Sequence, residues 1–250
     1  MKGDTLVRPI LVAVGALAMI WGIVEFPAFW RSQPFDAVAQ DVVGRIPYSA
    51  SALGELLPVI DRIEAEPGCE PRALHGAAVV LLRMMEDGFA PDELSRLDDR
   101  INAADRAARH SLACAPADPF LWIVLFSIES ERNGFRPAYL DYIRQSYRLG
   151  PHEAWIAVRR NRVVLAIYPL LPPEIAEMAV QEFAELVQNR LYDVTVDTLL
   201  GPGWAIREQL LARLQTVDEP QRVDFASRLR ERGVELAIPG VAPGGSRPWR

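Results

Sequence analysis

The chain has 250 residues, of which 50% are hydrophobic and 24% charged, with two cysteines, 20 prolines and a formal net charge of −6. Enough apolar residues are present to build a sizeable core, which excludes a collagen-like chain, a disulfide-dense miniprotein and a wholly disordered polypeptide. Lys2 is the single lysine, and acids outnumber bases; a nucleic-acid binder carries the opposite balance and a basic stripe, so no nucleic-acid partner is expected. The length admits one extended or two small domains.

From Pro9 to Val24 the chain reads PILVAVGALAMIWGIV without a charge, and beyond Glu25 the apolar run continues through Trp30. About 20 residues of this kind suffice to cross about 30 Å of hydrocarbon as a helix. Residues 9–30 are therefore expected as a transmembrane anchor. Lys2, Arg8 and the amino group precede the span, which places residues 1–8 in the cytoplasm and the body outside the inner membrane, in the periplasm. Trp21, Phe26, Phe29 and Trp30 sit at the far end, where amphipathic rings favour the headgroup layer. The alternatives are a buried soluble helix and a cleaved signal peptide, for which Ala37-Val38-Ala39 offers small residues, although far from the apolar segment.

Beyond residue 35 apolar residues recur at helical spacing and strand alternation is scarce. The pattern predicts helices over 35–45, 50–66, 71–87, 91–114, 119–133, 137–149, 153–168, 173–190, 192–200, 203–215 and 218–232. Pro71, Pro91, Pro119, Pro137 and Pro173 fall near starts, where a missing N–H costs least. Gly88, Gly134, Gly150 and Gly233 fall at ends, where a left-handed cap suits glycine. The organisation expected is a juxtamembrane helix and linker over 31–49, helix pairs over 50–190, further helices over 191–238 and a Pro/Gly-rich tail over 239–250.

Cys69 precedes one predicted helix and Cys114 closes the next, so an antiparallel hairpin brings them together. In an oxidising compartment a disulfide would close a loop of about 46 residues, worth about 4 kcal/mol in a chain-entropy estimate; two unbridged buried thiols are the alternative. Further on, Trp155, Arg159 and Arg162 share a helix face, with Arg148 and His152 just upstream. Guanidinium groups grip carboxylate or phosphate in forked geometry and aromatic rings stack on sugars or arginine, so this constellation is a candidate ligand or partner site. The competing expectation is ion pairing with acids such as Glu129, Glu131 or Glu182. His75, His110 and His152 form no ligand pair, so no metal site is expected. Asp98, Asp99, Glu129, Glu131, Asp218 and Glu219 could supply an acid and a base, but such residues are mostly solvated faces or caps. Without a Walker, dinucleotide, zinc or serine-hydrolase motif no cofactor is implied and no reaction is named. The apolar turn Phe120, Leu121, Trp122, Leu125 and Phe126 is expected as core.

Aligning residues 110–122 with 145–157 sets Ser111 over Ser146 and Pro116 over Pro151, an offset of 35. Ala104, Ala108, Ser111, Pro116, Trp122 and Leu125 occupy positions of the 34-residue tetratricopeptide pattern. Over roughly 70–190 the chain thus resembles a degenerate member of the tetratricopeptide-like family. It departs from the pattern at Phe126 in place of glycine, Glu129 in place of tyrosine, and Trp155 displaced by two positions. The resemblance implies an all-α fold of antiparallel helix pairs stacked as a short solenoid, whose groove holds a partner. The strings ADPFLW at 117–122, SYRLGPHEAWIAVRRNR at 146–162 and LLGPGW at 199–204 also resemble an uncharacterised bacterial envelope family associated with surface polysaccharide assembly. That resemblance implies envelope membrane proteins, including a polysaccharide synthesis or export complex, as partners. The resulting expectation is a non-enzymatic scaffold or adaptor. A glycan-acting hydrolase or lyase and a soluble periplasmic binding protein are the alternatives.

Overall fold

The computed structural model describes residues 8–24, 26, 53–65, 68–86 and 94–242, and among these no strand occurs: the fold is all-α. Helix α1, residues 8–24, presents apolar side chains on every side, with Ile10 59% and Val12 72% exposed. Among the described residues no helix is long and apolar enough to cross a membrane. A spanning helix over 9–30 is therefore not supported. Glu25 and residues 27–30 lie outside the described residues, as do the expected helix over 35–45 and the last eight residues of the tail.

Two compact units divide the chain, Met1–Ala117 and Asp118–Arg250. The division falls inside the stretch expected as one repeat domain. In the first unit, α2 (Leu57–Ala65), α3 (Pro71–Glu86) and α4 (Leu94–Cys114) follow one another. Helix α3 is buried on nearly every side: Ala73, Leu74, Ala77, Ala78, Val79, Val80, Leu81, Leu82 and Met85 are all buried, as in a helix that is hydrophobic all round. Facing it, α4 buries Leu112 and the small residues Ala104, Ala107, Ala108 and Ser111, which let the backbones approach closely. The pair is antiparallel: Cys69 ahead of α3 is bonded to Cys114 at the end of α4, while Arg100 near the start of α4 donates to the Met84 carbonyl at the end of α3.

The second unit contains α5 (Pro119–Asn133), α6 (Leu140–Leu149), α7 (Ala154–Ala166), α8 (Pro173–Gln188), α9 (Tyr192–Leu200), α10 (Arg207–Arg213) and α11 (Glu219–Glu231). Helices α5 and α6 form one hairpin and α7 and α8 the next, and α9, α10 and α11 pack against α8. Burial of Ile175, Ala179, Val180, Phe183, Ala184, Leu186 and Val187 makes α8 the centre of this core. Phe183 meets Phe225 of α11 edge-on at 6.1 Å, a favourable aromatic geometry. Phe120, Leu121, Leu125 and Phe126 are buried as core residues, and Trp122 is partly exposed.

Local chemistry explains where helices start and stop. Asp118 caps α5 by accepting from the Phe120 and Leu121 amides at 3.0 and 3.2 Å, and Pro119 follows as the first helical residue. Gly134 and Gly233 adopt the left-handed φ values of 70° and 75° expected at helix ends. Gly150 does not. Its φ is −141°, and the position instead requires glycine because a Cβ would lie 2.7 Å from Pro119 Cγ. The same close approach brings the end of α6 to the start of α5, so this hairpin too is antiparallel. The expected helix over 203–215 is divided into 3-10 turns Trp204–Ile206 and Leu214–Thr216 around α10. The 35-residue offset has a structural counterpart. Helices end at Cys114 and Leu149, turns follow at 116–117 and 151–152, and new helices begin at Pro119 and Ala154.

Candidate functional site

The strongest concentration of polar chemistry lies inside the second unit, where α6, α7 and α8 meet. Arg160 projects from α7 into the core and is fully buried. Its five N–H donors make five hydrogen bonds. Nε donates to Glu182 Oε1 at 2.8 Å and Nη2 to the same oxygen at 2.5 Å; Nη2 also reaches the Gly150 carbonyl at 3.0 Å. Nη1 donates to the Ser146 carbonyl at 2.8 Å and to Ser146 Oγ at 3.1 Å. The guanidinium carbon also stands 4.1 Å from the centre of the Tyr147 ring, within cation–π range.

Glu182 completes the arrangement from α8. Its Oε2 accepts from the Tyr147 hydroxyl at 3.1 Å and, more weakly, from Asn161 Nδ2 at 3.5 Å; the Asn161 amide also donates to the Ala179 carbonyl at 2.7 Å. Burial pushes the Glu182 carboxyl above its ordinary range, while the charge of Arg160 and the surrounding donors pull it back. Burial, together with the Glu182 charge, pushes the Tyr147 hydroxyl well up and keeps it a neutral donor. Asn161 Oδ1 is buried without a hydrogen-bond partner. Chemically the cluster is a clamp: every Arg160 donor is spent on protein, so this guanidinium has none left for a ligand.

The site residues expected from sequence have a different disposition. Trp155, on the first turn of α7, is 37% exposed and rests against Phe120 with ring centroids 5.2 Å apart. Arg159 is half-buried and Arg162 exposed on the same helix, and Arg148 is exposed at the end of α6 with its guanidinium on Gln145. His152 is exposed in the α6–α7 turn, its Nδ1 3.5 Å from Glu185 Oε2. The ion pair to Glu182 belongs to Arg160, the residue between the two arginines singled out above. Helical spacing carried the signal, since Arg160 stands four residues after Ile156 and four before Val164, both buried. Of the acids considered, Glu129 and Glu131 lie near the end of α5, while Asp218 precedes α11 and exchanges hydrogen bonds with Gln188.

Beside the clamp a cleft of about 250 Å³ opens between the α6–α7 turn and helices α7 and α8, lined by Pro151, His152, Ala154, Ala157, Glu182, Glu185, Leu186 and Asn189. Glu182 is the clamp's edge on this cleft. Two carboxylates therefore border it, but the oxygens of Glu182 are engaged by Arg160, Tyr147 and Asn161, which leaves it poorly placed to shuttle protons.

In the first unit Cys69 and Cys114 form a disulfide with Cα atoms 5.5 Å apart, inside the range that permits a bridge. Glu64 on α2 carries a raised carboxyl, pushed up chiefly by burial and pulled back by Arg106 and His110; its Oε1 is buried without a hydrogen-bond partner. Among the described residues no three His, Cys, Asp or Glu side chains are grouped to hold a metal ion. In comparisons with known proteins the chain matches no family model, no curated protein and no solved structure.

Proposed function

We propose that the chain is a membrane-attached, extracytoplasmic helical adaptor, with TPR-like stacked hairpins that hold a partner protein of the bacterial envelope. The observation that carries the reading is α1. Apolar side chains from Ile10 to Val24, Trp21 at 68% among them, are exposed around its whole circumference. Exposure on that scale is costly in water and is relieved in lipid or against another apolar surface. The Cys69–Cys114 disulfide supports an oxidising compartment for the body. The 35-residue recurrence of helix end, turn and helix start supports a repeat architecture, and with it a role in holding rather than transforming. A polysaccharide synthesis or export complex is the partner class that the sequence resemblance favours.

The test is fractionation of source cells, followed by alkaline extraction and crosslinking in native membranes. Mass spectrometry then identifies the mature amino terminus and the crosslinked proteins. The expected result is an intact amino terminus in the membrane fraction, with an envelope membrane protein crosslinked to the body. Full-length protein in the cytosol, or only a trimmed free form outside it, overturns the reading.

A further inference from the structure

The cleft beside the Arg160 clamp has its own chemical preference. Its lining combines the apolar side chains of Pro151, Ala154, Ala157 and Leu186 with the polar ones of Glu182, Glu185, Asn189 and His152. No N–H of Arg160 is available to an anion, because all five are bonded within the protein. Glu185 lines the cleft with a partly exposed side chain. Its Oε1 accepts from Gln181 Nε2 at 3.2 Å, and its Oε2 meets only the His152 ring at the long distance of 3.5 Å. Asn189 donates through Nδ2 to the Glu185 carbonyl at 2.9 Å, which orients its amide and leaves Oδ1 as a second acceptor. The positive amino end of α7 and the negative carboxyl end of α8 lie side by side here and largely offset each other. With Glu182 paired to Arg160, Glu185 supplies the remaining carboxylate of the lining, beside the His152 ring.

We infer that this cleft binds a cationic head, guanidinium or ammonium, carried on a short aliphatic stem, with Glu185 and Asn189 holding the head and Leu186, Ala157 and Pro151 covering the stem. The volume of about 250 Å³ suits one such group. An ionised acceptor makes the stronger hydrogen bond to a cationic donor, and a neutral isostere of the ligand forfeits it. The same chemistry is offered by a free small cation and by an arginine side chain of a partner protein.

The experiment titrates the full chain in detergent with n-butylguanidinium, with acetyl-Gly-Arg-Gly-amide and with the neutral isostere n-butylurea, following the amide resonances of Ala154, Ala157 and Asn189. Saturable shifts with at least one cation, absent with the urea, are expected. Glu185→Gln should weaken that binding about tenfold, whereas Glu208→Gln, at a side chain 90% exposed on α10, should leave it unchanged. Binding of the peptide identifies a protein side chain as the source, and binding of butylguanidinium alone identifies a free small cation. No saturable shift, equal binding of the urea, or full affinity in Glu185→Gln overturns the inference. Such a failure leaves the membrane reading standing, because that reading rests on α1.

Discussion

The two units hold their helices in place by different physics. In the first, the α3–α4 hairpin is joined at its open end by a covalent bond between Cys69 and Cys114, and its interior is lined by alanines and aliphatic residues. In the second, no disulfide is present; α6, α7 and α8 are joined at mid-helix by a buried arginine, a buried carboxylate, a tyrosine, an asparagine and a serine. A disulfide acts mainly by removing conformations from the unfolded chain and says little about which side chains must meet. A buried ion pair gains little net energy over an apolar replacement, yet breaking it leaves an uncompensated charge. The first device tolerates imprecise packing, and the second specifies a register.

That contrast is sharpest at Arg160. Arg160→Ala leaves Glu182 buried with its main counter-charge removed and should cost about 3–5 kcal/mol. Urea denaturation combined with hydrogen exchange should find the loss in the α6, α7 and α8 amides. Arg160→Met together with Glu182→Leu should recover most of it, because an apolar pair removes both charges at once. A double variant as unstable as the single one would show that the cluster contributes more than charge compensation.

Next in size is the disulfide. Cys69→Ser with Cys114→Ser, or reduction of the wild type, should cost about 3 kcal/mol, below the chain-entropy value of about 4 for a 45-residue separation because reduced chains retain structure. The lost protection should lie in α3 and α4. Equal loss in α7 and α8 would break the comparison, since the two units would then unfold together.

The smallest effect sets Glu64 of the first unit against Glu182 of the second. The Glu64 carboxyl is raised above 4.5 in the folded chain, chiefly by burial. The stability contributed by its bound proton is thus fully present below the ordinary value and is lost as pH rises through the raised one. Glu64→Gln does not titrate. Its melting temperature should match wild type near about pH 4 and exceed it slightly at neutral pH. A variant less stable than wild type at neutral pH would mean that attraction to Arg106 outweighs the cost of burial.

Much of the helical plan was legible because its signals are local. Pro119, Pro137 and Pro173 begin helical turns, and Gly134 and Gly233 end them. The antiparallel hairpin that joins the cysteines followed from the same punctuation. Within the distinctive string at 146–162 the sequence reading placed Arg159 and Arg162 on one helix face, with ion pairing to acids such as Glu182 as the competing expectation; the arginine that meets Glu182 is Arg160 between them, which is fully buried. A charge at a core position looks, in one dimension, like its neighbours. Gly150 was misread for a related reason, since its constraint comes from Pro119, 31 residues away in the chain.

By itself, then, the sequence determined the helical character of the described residues, an apolar amino-terminal segment, the ends of most helices and the hairpin that brings two cysteines near each other, because periodicity, caps and short hairpins act over a few residues. Only the tertiary structure decided which arginine Glu182 meets, why Gly150 must lack a side chain, and where a cleft lined by Glu185 opens. Those outcomes depend on which faces of α6, α7 and α8 come together, and a buried charge acquires its role only when donors and acceptors distant in sequence are brought within hydrogen-bond reach.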